Sequence, residues 1–248
     1  MRKEEKTLKR QLMKSVFIML GLVMVLFMAG MVSALTEFSS KTTFFAAFLI
    51  VGLIEVVYMS RKGLWSEYGF DINSHKSMKL ILLSPLMVIA MIPIFAGIDN
   101  GLNLLDIIYI IVYMLIVAFV EEVLYRGIIL SNLKTKSVKF GIIGSAVMFG
   151  LSHLITASSG KALLDVLFLI IMALTVGIIL GLIIIYTGNI YICIAYHFIN
   201  NVCVSISRSY GIADKAISYA VLLLLIIYAF VLYSKLKNDE QSDLNIIE

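Results

Sequence analysis

Apolar residues occur in long runs along this chain, and short charged or turn-forming stretches separate the runs. A helix needs roughly 20 apolar residues to cross the hydrocarbon core of a bilayer, and most of the runs approach that length. The pattern therefore predicts an all-α, polytopic membrane bundle of about eight transmembrane helices. The predicted spans are residues 15–35, 43–60, 78–98, 104–130, 140–156, 163–186, 190–207 and 216–234.

No internal repeat and no linker interrupts these spans, so residues 15–234 are predicted to form a single transmembrane helical domain. Residues 1–14 and 235–248 are polar, and we interpret them as two cytoplasmic tails, the first of them basic. Small residues four positions apart favour close helix contacts within the bundle. Such pairs are Gly141 with Ser145 and Gly177 with Gly181.

The composition agrees with a membrane protein: 61% of the residues are hydrophobic, 15% are charged, and the mean hydropathy is +1.01. A soluble domain of 248 residues could not bury so much apolar surface. The net charge of +4 does not indicate a nucleic-acid partner, because the basic residues lie in short tails and loops and not on one face with aromatic residues.

The Lys and Arg residues are concentrated on one side of the predicted membrane. Because cytoplasmic loops carry an excess of these residues, the bias predicts an N-in, C-in topology. The predicted cytoplasmic side carries Arg2, Lys3, Lys6, Lys9, Arg10, Lys14, Arg61, Lys62, Lys76, Lys79, Lys134, Lys136, Lys139, Lys235 and Lys237. The other side carries Lys41, Lys161, Arg208 and Lys215, and only the last of its loops is ambiguous.

The fourth span contains three ionisable side chains in an otherwise apolar run: Glu121, Glu122 and Arg126. Each costs about 2.5–3.5 kcal/mol at the centre of a membrane helix, so such residues usually face the bundle interior and serve a function. Glu122 and Arg126 are four positions apart and are expected to pair on one helix face. Glu121 points about 100° away, is expected to lack that partner, and is the candidate general base.

Two of the three histidines also fall within predicted spans, His153 on the fifth and His197 on the seventh. Asn201 follows His197 by about one helical turn and lies on the same face. Counted at 1.5 Å per residue from the predicted cytoplasmic ends, Glu121 and His197 lie roughly 10–14 Å deep and His153 roughly 20 Å deep. We therefore expect these side chains to meet in one cavity that faces the cytoplasm.

Each of these features also has a structural interpretation. A Glu–Arg pair within one helix is more often a structural ion pair than a catalytic group, and a membrane histidine often forms hydrogen bonds between helices. A structural explanation of a glutamate, two histidines and an asparagine on three helices must account for four insertion costs at once. This combination favours a functional site.

The order of these residues resembles the motifs of the CAAX prenyl endopeptidase and bacteriocin-processing family of intramembrane proteases, also called CPBP or Abi proteins. The pattern of that family is Glu-Glu-x-x-x-Arg, then Phe-x-x-x-His, then His-x-x-x-Asn or Asp, on successive membrane helices. In this chain the motifs are Glu121–Glu122 with Arg126, Phe149 with His153, and His197 with Asn201. The resemblance covers about residues 106–208, and the eight-helix layout also agrees with it.

The resemblance implies an intramembrane endopeptidase. Glu121 and His153 would activate a water molecule for attack on a peptide carbonyl. His197 and Asn201 would donate hydrogen bonds to the developing oxyanion, an interaction that often dominates catalysis of acyl transfer. This scheme requires no cofactor and no nucleophilic Ser or Cys.

By the same resemblance, Glu122 and Arg126 would support the site by positioning Glu121 and the neighbouring helices. A zinc site formed by His153, His197 and Glu121 is the alternative, because two histidines and a carboxylate leave a fourth position for water. The sequence contains no His-Glu-x-x-His motif, and we favour the metal-free scheme.

Three functions stay open at this point. The first is a peptidase that cuts a membrane-associated peptide or protein near the cytoplasmic face. The second is a non-catalytic bacteriocin-immunity or scaffold protein with the same fold. The third is a small transporter, because intramembrane Glu and His also relay protons, although no inverted repeat is evident. The Ile-, Lys- and Asn-rich sequence favours a multi-pass protein of a bacterial plasma membrane, with a pheromone, a bacteriocin or a signalling protein as the substrate.

Overall fold

The computed structural model describes residues 2–71, 80–208 and 211–245, and this part of the chain forms eight helices and no strand. Residues 78–79 of the third predicted span and 246–248 of the C-terminal tail lie outside the described residues. The predicted all-α bundle is confirmed. The helices are α1 (Arg2–Leu35), α2 (Ser40–Lys62), α3 (Leu80–Met91), α4 (Leu104–Glu122), α5 (Val138–Ser152), α6 (Leu163–Thr187), α7 (Ile190–Ile206) and α8 (Gly211–Asn245).

Three of these helices continue in a different helical geometry. A 3-10 turn over Ile92–Ala96 follows α3, and another over His153–Ser159 follows α5. After α4, a π-helical segment covers Val123–Leu130, and a last α-helical turn covers Ser131–Leu133.

Among the helices that the structure describes, six are long and apolar enough to cross a membrane, namely α1, α2, α4, α5, α6 and α8. The apolar segments Leu83–Ala96 and Ile190–Ile206 are shorter. Large apolar side chains such as Phe230, which is 72% exposed, lie on the outside of the bundle. An apolar outer surface is what a lipid environment requires, so the chain is a multi-pass membrane protein.

Polar residues fix the start of each helix that carries a motif. Asn103 accepts a hydrogen bond from the N–H of Asp106, and the Asp106 carboxylate accepts one from the N–H of Asn103, at 3.0 and 3.3 Å. This capping box starts α4. Ser137 and Asn189 cap α5 and α7 with their side-chain oxygens.

Small residues allow α5 and α6 to pack closely. A Cβ added to Gly177 would lie 2.8 Å from the Cα atom of Ala146, and one added to Gly181 would lie 3.1 Å from Ile142. The predicted close contact of these two glycines is therefore present in the structure. Ser145 is also at a close contact, because its hydroxyl donates to the carbonyl oxygen of Tyr125 at 2.7 Å.

The two ends of the bundle differ in which connections they contain. We call the end that holds the start of α1 and the α2–α3, α4–α5 and α6–α7 connections the tail end. At this end the side chain of Gln11 donates to Thr135 at 2.6 Å, and the N–H of Ile190 donates to the carbonyl of Gly69 at 3.2 Å. Since eight helices alternate in direction, α8 also ends there.

We call the opposite end, with the α1–α2, α3–α4, α5–α6 and α7–α8 connections, the far end. Here Lys41 forms an ion pair with Asp106 at 3.2 Å, which joins the start of α2 to the start of α4. The N–H of Arg208 donates to the carbonyl oxygen of Gly97 at 2.8 Å. This bond joins the end of α7 to the chain that follows α3.

Candidate active site

Glu122 and Arg126 form an ion pair in the centre of the bundle. Nη1 of Arg126 donates to Oε1 of Glu122 at 3.0 Å, and both side chains are fully buried. Nδ1 of His197, on α7, lies 2.7 Å from the same carboxylate oxygen. The predicted pair on one face of α4 is therefore present, and it also holds the histidine of another helix.

The second ring nitrogen of His197 lies near the other glutamate. Nε2 of His197 is 3.4 Å from Oε2 of Glu121, whose side chain is 14% exposed. Glu121 thus has a partner other than Arg126, because α7 brings His197 between the two carboxylates.

The glutamate motif continues directly into the π-helical segment Val123–Leu130. The sequence predicts an α-helix through residue 130, and this prediction is wrong for Val123–Leu130. Such segments are rare and occur frequently at functional sites. Tyr68, in the α2–α3 connection, packs against this segment, and a Cβ on Gly127 would lie 3.2 Å from its ring. Burial raises the pKa of the Tyr68 hydroxyl, so a neutral ring supports the segment.

Phe149 connects the remaining motif residues. Its ring packs edge-on against His153 with centroids 5.0 Å apart and against His197 with centroids 5.8 Å apart. The guanidinium carbon of Arg126 lies 4.6 Å from the centroid of the same ring. Nδ1 of His153 is 2.8 Å from the carbonyl oxygen of Phe149, which leaves Nε2 of His153 for other contacts. The Phe-x-x-x-His motif thus places one aromatic ring in contact with both histidines.

A cavity of about 360 Å³ lies beside this cluster. The predicted site residues His153, His197 and Asn201 line it, whereas Glu121 contacts its wall through His197. Asn200, which the sequence analysis did not single out, lines it as well. The Asn200 amide donates to Oδ1 of Asn201 at 3.5 Å, so the Asn201 NH2 group is available for another acceptor.

The match to known proteins covers this site. Residues 103–203 match a family described as Type II CAAX prenyl endopeptidase Rce1-like. This stretch of the chain is similar to that family, and we call it the Rce1-like segment. No curated protein matches the chain. The match extends from the cap of α4 into α7 and contains every motif residue, and it confirms the resemblance that the motifs indicated. The description of the family implies a CAAX-type intramembrane peptidase.

The zinc alternative requires His153, His197 and Glu121 to surround one point. Among the residues that the structure describes, no three His, Cys, Asp or Glu side chains are arranged to hold a metal ion. Zinc requires its ligands at about 2.0–2.3 Å from one point. Within the alternative donor set of His153, His197 and Glu121, Nε2 of His197 lies 3.4 Å from Oε2 of Glu121, and Nδ1 of His197 is held by Glu122 at 2.7 Å.

The cavity of the Rce1-like segment extends toward the far end, where Ala96, Ser207 and Arg208 line it. The sequence predicts both a cavity open to the cytoplasm and cytoplasmic tails. These two expectations are incompatible, because the cavity and the tails lie at opposite ends. The depth of a residue along its helix does not predict the direction in which the cavity opens. On the tail-end side of His197, buried side chains such as Ile190 and Cys193 fill the bundle.

Glu55, on α2 beside the Rce1-like segment, was not singled out by the sequence analysis. It is 5% exposed, and neither carboxylate oxygen has a hydrogen-bond partner among the described residues. Gly52 is about one turn earlier, and a Cβ there would lie 3.2 Å from Val120, so this face of α2 packs on α4. The sequence could have identified Glu55, because it is an acidic residue within the apolar run 43–60. Its insertion into the membrane has the same cost as that of Glu121.

Proposed function

We propose that this protein is an intramembrane endopeptidase that hydrolyses a peptide bond of a membrane-associated peptide or protein. The observation that supports this most strongly is the position of His197. It contacts Glu121 and Glu122 with its two ring nitrogens and lines a cavity together with His153 and Asn201. A base, a hydrogen-bond donor and space for a peptide are thus adjacent within one membrane bundle.

In the proposed reaction, Glu121 removes a proton from a water molecule, assisted by His153. The water oxygen then forms a bond to the carbonyl carbon, and negative charge develops on the carbonyl oxygen. The Asn201 amide donates a hydrogen bond to this oxyanion, and Nε2–H of His197 does so as well once Glu121 has taken up the proton and no longer holds that nitrogen. The C–N bond then breaks, and Glu121 returns its proton to the leaving amine.

Glu122 and Arg126 act through His197 in this scheme. The Glu122 carboxylate accepts from Nδ1 of His197 at 2.7 Å, and this contact orients the ring so that Nε2 is directed toward Glu121. Arg126 compensates the charge of Glu122 at 3.0 Å. A buried carboxylate that fixes the orientation of a histidine has the same role in serine hydrolases. Glu122 and Arg126 are therefore positioning residues that act on His197. The sequence motifs had suggested that they position Glu121 directly, whereas in this scheme His197 does so.

The scheme needs no metal ion, because Glu121 generates the nucleophile and His197 and Asn201 stabilise the oxyanion. The substrate belongs to the class of membrane-associated peptides and proteins, such as the precursor of a pheromone or a bacteriocin. The protein would act on it in a bacterial plasma membrane.

The proposal is tested by comparing membrane peptides from cells that carry the wild-type protein, Glu121→Gln or Glu37→Gln. Glu37 is exposed in the α1–α2 connection, so Glu37→Gln is a matched control. We expect mass spectrometry to find a peptide pair, substrate and product, that changes in Glu121→Gln and not in Glu37→Gln. Identical peptide profiles for all three proteins would contradict peptidase activity and favour a non-catalytic role.

A further inference from the structure

The cavity occupies one half of the bundle. On α7 its lining runs from His197 in the middle of the helix to Arg208 beyond its end. The parts of α3 and α8 that line it are also at the far end, with Ala96 and Ile217. No tail-end connection contributes to the described lining. The cavity thus extends from the glutamate cluster to the far end and not to the tail end.

The gap between α6 and α8 is closed near the far end. The rings of Phe168 and Tyr219 pack edge-on with centroids 5.1 Å apart. Lys215 and Asp165 form an ion pair across the same two helices at 3.5 Å. These contacts reduce access from lipid on this side, whereas the lining residue Arg208 lies at the far-end surface of the bundle.

The charge of the two ends differs strongly. Of the twenty Lys and Arg residues, fifteen belong to the tails and connections of the tail end and four to those of the far end, with Arg126 buried between them. Short loops rich in Lys and Arg remain in the cytoplasm during membrane insertion. The tail end is therefore the cytoplasmic end, and the far end is on the other side of the membrane.

We propose that the cavity receives its substrate from the extracytoplasmic face of the membrane. This inference rests on the proposed peptidase function and replaces the expectation of access from the cytoplasm. The substrate is then a peptide segment that emerges at the outer surface, where apolar side chains such as Phe168 and Met172 contact it and His197 meets its carbonyl group. A secreted or membrane-anchored peptide presents such a segment, whereas a cytoplasmic C-terminal tail does not.

Single cysteines test this inference in intact cells with a membrane-impermeant maleimide. Ser218→Cys reports on the cavity, Ser40→Cys on the far-end surface and Ser66→Cys on the tail-end surface. The native Cys193 and Cys203 are buried, so the wild-type protein gives the background. We expect Ser40→Cys and Ser218→Cys to be labelled to the same extent in intact and opened cells. Ser66→Cys should be labelled only in opened cells.

Two results would overturn the inference. Labelling of Ser218→Cys only after the cells are opened, or in neither condition, would show that the cavity is not reached from outside. Labelling of Ser66→Cys but not Ser40→Cys in intact cells would reverse the topology. Maleimide labelling does not require catalysis, so the same experiment in the Glu121→Gln background distinguishes a wrong face from an inactive protein.

Discussion

Nδ1 of His197 lies 2.7 Å from Oε1 of Glu122, although 75 residues separate the two in sequence. This contact fixes α7 against α4 and brings the second ring nitrogen of His197 near Glu121. The same Glu122 oxygen accepts from Arg126, so one carboxylate connects the ion pair within α4 to the histidine of α7. The site therefore depends on Glu122 for both its shape and its charge balance.

Replacement of Glu122 should destabilise the protein strongly. In Glu122→Ala, Arg126 is left buried without its counter-charge, and breaking such a pair costs about 3–5 kcal/mol. Lys41→Ala is the control, because it breaks the ion pair of Lys41 with Asp106, in which the Lys41 side chain is 66% exposed. Exposed pairs contribute less than about 1 kcal/mol. Unfolding in detergent measures both, and equal losses would contradict a stabilising role for the buried pair.

Hydropathy predicted the fold, and the order of the motifs predicted the family match over residues 103–203. The apolar runs matched eight helices because lipid requires every backbone group to be satisfied within its own segment. The i, i+4 spacing of Glu122 and Arg126 predicted their pair for a similar reason, since helix geometry alone brings them together. Properties that depend on one helix were thus accessible from the sequence.

Properties that depend on how helices pack against one another could not be predicted from the sequence. The position of His197 between two glutamates results from the packing of α4 on α7, which no local pattern encodes. The direction of the cavity depends on which side chains fill the bundle on each side of His197. The residue composition does not predict the π-helical geometry after Glu122, because Val, Leu and Ile are also common in the α-helices of this chain.

Removal of metal ions should leave the peptidase activity unchanged. Because Glu121 and not a metal ion activates the water in the proposed scheme, we expect purified protein to retain its turnover after exhaustive chelation. Elemental analysis of the same samples provides the second measurement. One zinc per chain that disappears in both His153→Ala and His197→Ala, together with loss of activity on chelation, would contradict the metal-free scheme.

The contact between α5 and α6 should be sensitive to a single methyl group. In Gly177→Ala the added Cβ would lie 2.8 Å from the Cα atom of Ala146, so the two helices must separate. Overpacking of this kind costs about 1–3 kcal/mol. Gly21→Ala on α1 is the matched control, because nothing lies within 4 Å of its Cβ position. A lowered Tm for Gly177→Ala alone supports the packing, and an equal Tm for both variants argues against it.

Replacement of Glu55 by methionine should stabilise the fold. Both oxygens of Glu55 are buried without a hydrogen-bond partner among the described residues, and an unsatisfied buried group costs about 1–3 kcal/mol. Methionine keeps the volume and removes this cost. The exposed Glu67→Met is the control, and its Tm should change little. A lower Tm for Glu55→Met would instead show that the carboxylate has a stabilising role in the membrane.

The central claim is that Glu121 activates the water that hydrolyses the peptide. The most direct measurement is the hydrolysis rate of the identified peptide by purified wild-type protein and by Glu121→Gln. General-base catalysis contributes about 10²- to 10⁴-fold. We therefore expect the kcat of Glu121→Gln to be lower than that of the wild type by about 10²-fold or more, while the variant still binds the peptide. Hydrolysis by Glu121→Gln at the wild-type rate would contradict the account.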